Sequence, residues 1–500
     1  MLAYKISNQA IVNSIYIPKY YDPGLKKEIM SLSSSHDLLT IGELMDANDV
    51  TVQTGDEIGK MAYGTGNIPF VRTSDITNWE IKAIPKQGIS EDIYKLYSEK
   101  QDVKTGDILL VRDGTYLIGT NCIITAMDTP MVFQSHILKF RINNQKKLNP
   151  YLLFLAFNNE LVQRQIRSVQ FTADIIDTIG NRYREIILPI PKDCKKKKRL
   201  VSSISKALET RIKFKAAVKQ MPVLIEKVLV ENKAAVLDDF FKSSIDVIIK
   251  NLVQDTVTLE FGEFSAFRLP SDKIRNGIFL PKYYDPAIVK TLKRLERNCQ
   301  LFSVQQLIDL NVIELATGDE IGKMAYGTGD IPFVRTSDFS NWEIKVDTKQ
   351  GVSEDVYQQY AKSEDVKRLD ILLVRDGSYL IGSTCIITEA DTKMLYCGGL
   401  IKIRVKDISM FDPYCLLGLL NSYIVKRQIR TKQFTRDVID TLGQRFREVV
   451  IPIPKDAIVR KKISETIRAI VNNRIEARDT ILKLSKELVE GLEGERKNPL

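Results

Sequence analysis

Asp75, Glu80 and Lys82 return 263 residues later as Asp338, Glu343 and Lys345. Two carboxylates with a nearby lysine are the residue types of a metal-dependent nuclease core. Glu80 and Lys82 are two apart, so a strand would turn both to one face; a salt-bridged strand facing solvent gives the same pattern and is the commoner arrangement. Gly55-x-x-x-Gly59-Lys60 is one residue short of a phosphate loop, and Met61 stands where that loop needs Ser or Thr. Asn149-Pro150-Tyr151 and Asp412-Pro413-Tyr414 come near the catalytic tetrapeptide of amino-methyltransferases. They lack its second proline and open a helix, and no Gly-rich loop follows a strand to hold a methyl donor. The two histidines, His36 and His136, align with Cys299 and Gly399, so no repeated site depends on them. Six cysteines without a C-x-x-C spacing suggest neither a zinc site nor a disulfide framework. The expectation is therefore no catalytic residue, no metal and no cofactor.

Nucleic-acid contact is the stronger reading for the repeated basic residues. Lys60, Arg72, Lys82 and Arg112, with copies Lys323, Arg335, Lys345 and Arg375, fall at or near strand ends beside glycine-containing turns. From there a guanidinium reaches phosphate or the paired acceptors of guanine. The alternative is internal: Arg72 with Asp75, and Arg112 with Asp113, holding the fold together. One segment separates the copies. Gln134-Ser135-His136 becomes Cys397-Gly398-Gly399, which replaces side chains able to read base edges with almost no donors. That segment is expected to help set a difference between two sites, against neutral drift as the other reading.

The elements that position these residues come in duplicate. Residues 3–237 and 266–500 align at a constant offset of 263 without a gap, and 26 of the 29 positions from Thr54 to Lys82 are identical to Thr317–Lys345. Each copy starts with a strand-rich part: the runs 68–72, 107–112 and 137–142 are β-branched and bounded by turn residues. Asn149-Pro150 is an N-cap followed by proline and predicts one helix to about Arg167. A proline-closed segment, 186–191, ends the module. The tails are helical. Leu200, Ile204, Leu208 and Ile212, like Ile463, Ile467, Val471 and Ile475, form one apolar stripe that needs a partner, and the other tail is the nearest. Pro222 is expected to kink the first tail.

The bulk numbers agree with a globular chain. Five hundred residues with 44% hydrophobic content suffice for several cores, and a net charge of +10 suits a polyanionic partner. No run of 18 apolar residues is present, and the amino terminus lacks a basic region followed by an apolar core. A cytoplasmic location without membrane contact is expected.

With repeat, tails and closing prolines together, the chain resembles the specificity subunit of a type I restriction-modification system. The resemblance is carried by residues 68–75, 106–114 and 176–180 leading to 187–191, and by their copies 331–338, 369–377 and 439–443 leading to 450–454. It implies an α+β fold with two similar mixed α/β target-recognition domains, separated by a long antiparallel two-helix coiled coil and related by a pseudo-two-fold axis. The corresponding boundaries are 1–192 and 266–455 for the recognition domains, 193–237 and 456–500 for the spacer helices, and 238–265 for the connector. It also implies double-stranded DNA with a bipartite target, two methyltransferase subunits docked on the helices, and restriction or translocase subunits as partners. The subunit itself catalyses nothing in that scheme. The two recognition domains are unusually alike for this family. The rival expectation is a self-contained nuclease or methyltransferase with duplicated domains.

Overall fold

The structure, a computed structural model, describes residues 6–7, 9, 11–12, 15–114, 116–173, 176–243, 247, 267–275, 277–377, 379–436 and 439–490. Most of the expected connector, 238–265, lies outside them. The chain forms two compact units, one of residues 1–212 with 476–500 and one of residues 213–475.

In the first unit the strands are β1 (His36–Thr40), β2 (Val50–Thr54), β3 (Ile68–Val71), β4 (Ile76–Thr77), β5 (Glu80–Ile81), β6 (Gln87–Ile89), β7 (Ile108–Val111), β8 (Asn121–Ile123), β9 (Val132–Phe133), β10 (Ile137–Ile142), β11 (Phe171–Ala173), β12 (Ile176–Thr178) and β13 (Ile187–Pro191). A four-stranded antiparallel sheet has the order β2-β10-β7-β8, and a three-stranded sheet the order β6-β3-β9. The unbroken apolar run of β7 follows from burial on both faces. Ile108 and Leu110 enter a core with Phe140 and Phe154, whereas Leu109 and Val111 enter another with Cys122 and Phe133. The alternation of the strand thus serves two cores.

The helices are α1 (Pro23–Ser31), α2 (Ile41–Asp46), α3 (Glu91–Gln101), α4 (Pro150–Phe157), α5 (Glu160–Ser168) and α6 (Cys194–Glu231). The single helix expected from Asn149 to Arg167 is two. Asn159 caps α5 through Leu161 N, and its own Nδ2 donates to the Ser485 carbonyl at 2.7 Å. The long α6 passes through Pro222 as one helix. Its first turns bury Leu200, Ile204 and Leu208 in the same core as Ile481, Leu484 and Leu488. Lys196 donates to the Leu488 carbonyl at 3.1 Å and Arg199 pairs with Glu487 at 2.8 Å. Within this unit, therefore, the start of one tail meets the end of the other.

The second unit repeats the plan. Its four-stranded sheet joins Ile313–Thr317, Leu400–Val405, Ile371–Val374 and Thr384–Ile386. Its long helix is Ala457–Glu487. Asn298 Nδ2 donates to the Val230 carbonyl at 2.7 Å. A Cβ on Gly418 would meet Ile463 at 3.0 Å and Ile225 at 3.2 Å, so its helix, Pro413–Leu420, lies close against both tail segments. Among the described residues no helix is long and apolar enough to cross a membrane.

Candidate nucleic-acid interface

Three strand ends meet in the first unit. β3 and β9 run parallel, with Val71 opposite Phe133, and β7 lies antiparallel to β10, with Val111 opposite Ile137. Arg72, Gln134 and Arg112 are the residues that follow β3, β9 and β7, so strand pairing delivers all three to one edge. Gln134 N donates to Val71 O at 3.0 Å, and Arg112 N to His136 O at 2.9 Å. The loop after β2 closes over them through a bridge between Asp56 and Gln134. Gly55 permits that approach: a Cβ there would stand 2.3 Å from the Phe133 carbonyl oxygen.

The side chains form a small polar cluster around two carboxylates. Arg112 grips Asp113 in two-pronged fashion, Nε at 3.0 Å and Nη2 at 2.7 Å. Thr178 Oγ1 also donates to Asp113, and His136 Nδ1 stands 3.0 Å from Asp113 Oδ2. Burial alone would raise the Asp113 carboxyl; the bonds from Arg112, Thr178 and His136 outweigh it and hold it below the usual carboxylate range. The second carboxylate is Glu57, on the loop. Ser135 Oγ donates to its Oε1, Gln134 Nε2 stands 3.5 Å away, and His136 Nε2 lies at 3.7 Å. Each ring nitrogen of His136 therefore faces a different acid.

The second unit rebuilds half of this. Arg375 binds Asp376 at 2.9 and 2.7 Å, and Thr441 donates to the same carboxylate. Arg375 N again reaches a carbonyl, that of Gly399, at 2.9 Å. The half around Glu320 differs, because Cys397-Gly398-Gly399 replaces Gln134-Ser135-His136.

The structure thus brings Arg72, Arg112, Gln134, Ser135 and His136 together, as it does Arg335 and Arg375. Lys60 and Lys323 open exposed turns three residues past Glu57 and Glu320. Lys82 and Lys345 go elsewhere. Each is only 7% exposed, and their backbone nitrogens donate to Asp75 and Asp338. Burial pushes the Lys345 ammonium down, against the opposing pull of Asp338 and Asp347. This burial removes both lysines from the expected contact set. Gln134 is corrected too: it is 9% exposed and turned toward Glu57, which does not suit two-pronged reading of a base.

The nuclease arrangement fails on geometry. Glu80 pairs with Arg211 of α6 at 3.2 Å, and Glu343 with Arg474 of the second long helix at 2.9 Å. All four side chains are buried, so the carboxylates are committed to helix guanidinia. No group of three or more His, Cys, Asp or Glu among the described residues is arranged to hold a metal ion. The Asn149 and Asp412 side chains cap helices, accepting from Tyr151 N at 2.9 Å and Cys415 N at 2.8 Å. Sequence reasoning gave Asp113 only as an internal partner of Arg112 and missed Glu57 and Glu320, because it sought donors to DNA and not the acids that hold them. The usable signal was the identity of the Thr54–Lys60 loop to Thr317–Lys323.

No family model matches the chain, and no curated protein matches it. Among solved structures it is similar to a type I restriction-modification S subunit from M. genitalium, with 11% identity, a TM-score of 0.33, and 91% of this chain and 96% of that one covered. It is also similar to the HsdS subunit from Thermoanaerobacter tengcongensis, at 14% identity and a TM-score of 0.25 over 92% of this chain and 94% of that one.

Proposed function

We propose that this chain is the non-catalytic DNA-specificity subunit of a type I restriction-modification complex. Two mixed α/β recognition domains, 1–192 and 266–455, each read one half of a bipartite duplex target. The spacer helices, 193–237 and 456–500, pack antiparallel as a coiled coil, hold the domains apart and dock two methyltransferase subunits. Restriction or translocase subunits complete the assembly in the cytoplasm. The observation that carries this reading is a duplicated one. The Arg–Asp–Thr half of the strand-end cluster recurs at an offset of 263 residues, and each copy is tied to a long helix by a buried Glu–Arg pair. A chain that repeats a polar edge and fastens each repeat to a rod is suited to two contacts at a set separation. The charge of +10 suits phosphate, whose neutralisation supplies salt-sensitive affinity. Because the modules are alike, related half-sites in inverted orientation are expected.

Mapping adenine methylation in cells with and without the chain tests this. The expected result is a bipartite motif, with related halves and a fixed gap, that disappears with the chain. Methylation that persists unchanged, or a motif without a gap, defeats the reading.

A further inference from the structure

Glu57 and Glu320 sit in identical loops, yet their surroundings are unlike. Glu57 Oε1 takes the Ser135 hydroxyl and has Gln134 Nε2 at 3.5 Å and His136 Nε2 at 3.7 Å. In the second unit those three side chains are gone. Gly398 stands where Ser135 does in the first copy and has no hydroxyl to donate; a Cβ on it would lie 2.6 Å from Glu320 Oε1, the far end of an exposed side chain that can swing aside. Glu320 is exposed and has no side-chain hydrogen bond or ion pair among the described residues. A carboxylate only accepts. Beside DNA it is repelled by phosphate and by the guanine acceptors, and it matches an exocyclic amino group in the major groove, cytosine N4 or adenine N6.

We propose that Glu320 is a base-reading residue of the second module, accepting from such an amino group, and that Gln134, Ser135 and His136 withdraw the equivalent Glu57 from that role in the first. The 134–136 segment thereby changes specificity through an acid, without reading the base itself. Two similar modules then recognise half-sites that differ at this position. This rests on the DNA-reading function proposed above.

The test uses the full chain with its methyltransferase partners and a library of random-sequence duplexes, with bound molecules sequenced. The unaltered chain is expected to enrich a motif with C or A at one position of one half-site, and the base found there identifies which amino group is read. Glu320→Ala should lower discrimination at that position about tenfold, while the other half-site keeps its sequence. Replacing Gln134→Cys, Ser135→Gly and His136→Gly together should give the other half-site the same base preference. A motif that survives Glu320→Ala intact, or changes equally in both halves, overturns the assignment while DNA reading stands. Absence of any motif with the unaltered chain overturns the proposed function and this assignment with it.

Discussion

Gln101 and Glu364 occupy one position in the two copies, yet one is an amide and the other an acid. Gln101 Nε2 donates to Asp56 Oδ2 at 3.0 Å and to the Phe133 carbonyl at 2.9 Å, while its Oε1 accepts from Phe133 N at 2.9 Å. Glu364, 1% exposed, accepts from Tyr396 N at 2.8 Å and Asp319 N at 3.2 Å. The other charges about it are Asp319, Lys402 on the strand Leu400–Val405, and Asp370 and Arg404 further off. Burial pushes the Glu364 carboxyl up to about 8; Asp319 adds to the rise, and the two backbone N–H groups and Lys402 oppose it. The ordinary value is 4.5, so between 4.5 and about 8 the folded chain keeps a proton that the unfolded chain has released. Stability from this group is complete below the lower value, falls across the window and is level above it, at roughly 1.4 kcal/mol per pH unit. Glu364→Gln should abolish that slope in thermal unfolding of the chain and raise the midpoint at pH 8. Gln101→Glu should introduce a similar slope. A wild-type unfolding midpoint that does not fall between pH 5 and 8 would refute the protonated form.

At the scale of elements, the β4–β5 hairpin shows what the sequence conceals. Its turn is Asn78-Trp79, with φ of 48° and 65°, repeated at Asn341-Trp342 with 52° and 69°. Two positive φ values suit the right-handed twist of a tight hairpin, but such turns announce themselves by glycine, and here tryptophan takes the place. The indole is buried and its Nε1 donates to Asn158 at 2.7 Å, which lets packing outweigh the local preference. Glu80 and Lys82 therefore look like a solvent-facing strand on paper and are interior in the fold. The strands from Ile68, Ile108 and Ile137 were legible because long β-branched runs leave little choice. The break between α4 and α5 was not, since Asn158-Asn159 carries neither glycine nor proline. The meeting of Arg112 with His136 depends on strand pairing, which periodicity does not reveal. The hairpin also carries a prediction. Arg474→Met leaves the Glu343 carboxylate buried without its guanidinium and should cost about 3–5 kcal/mol. Adding Glu343→Leu should recover part of it, so a double-mutant cycle in denaturant should show coupling well above the ~0.5 kcal/mol of independent sites. Additivity would mean that the pair does not fasten module to helix.

For the whole molecule, the duplication makes a symmetric demand on binding. Lys60 and Lys323 open identical exposed turns, each followed by an exposed methionine, Met61 at 92% and Met324 at 91%. Among the described residues neither lysine forms an ion pair, and an ammonium on a flexible stem suits phosphate better than a base edge. Each contact with a phosphate releases counterions, so removing one should flatten the dependence of log K on log salt by about 1. Lys60→Ala and Lys323→Ala should therefore weaken duplex binding by similar amounts, the double variant should flatten the slope by about 2, and the sequence preference should stay as it was. This separates the lysines from Glu320, whose replacement should alter preference and leave the salt slope nearly unchanged. Titrating a labelled duplex across a salt series with the three lysine variants makes the comparison. An effect confined to one lysine would show that the copies do not engage DNA equivalently, and would remove the basis for expecting inverted, related half-sites.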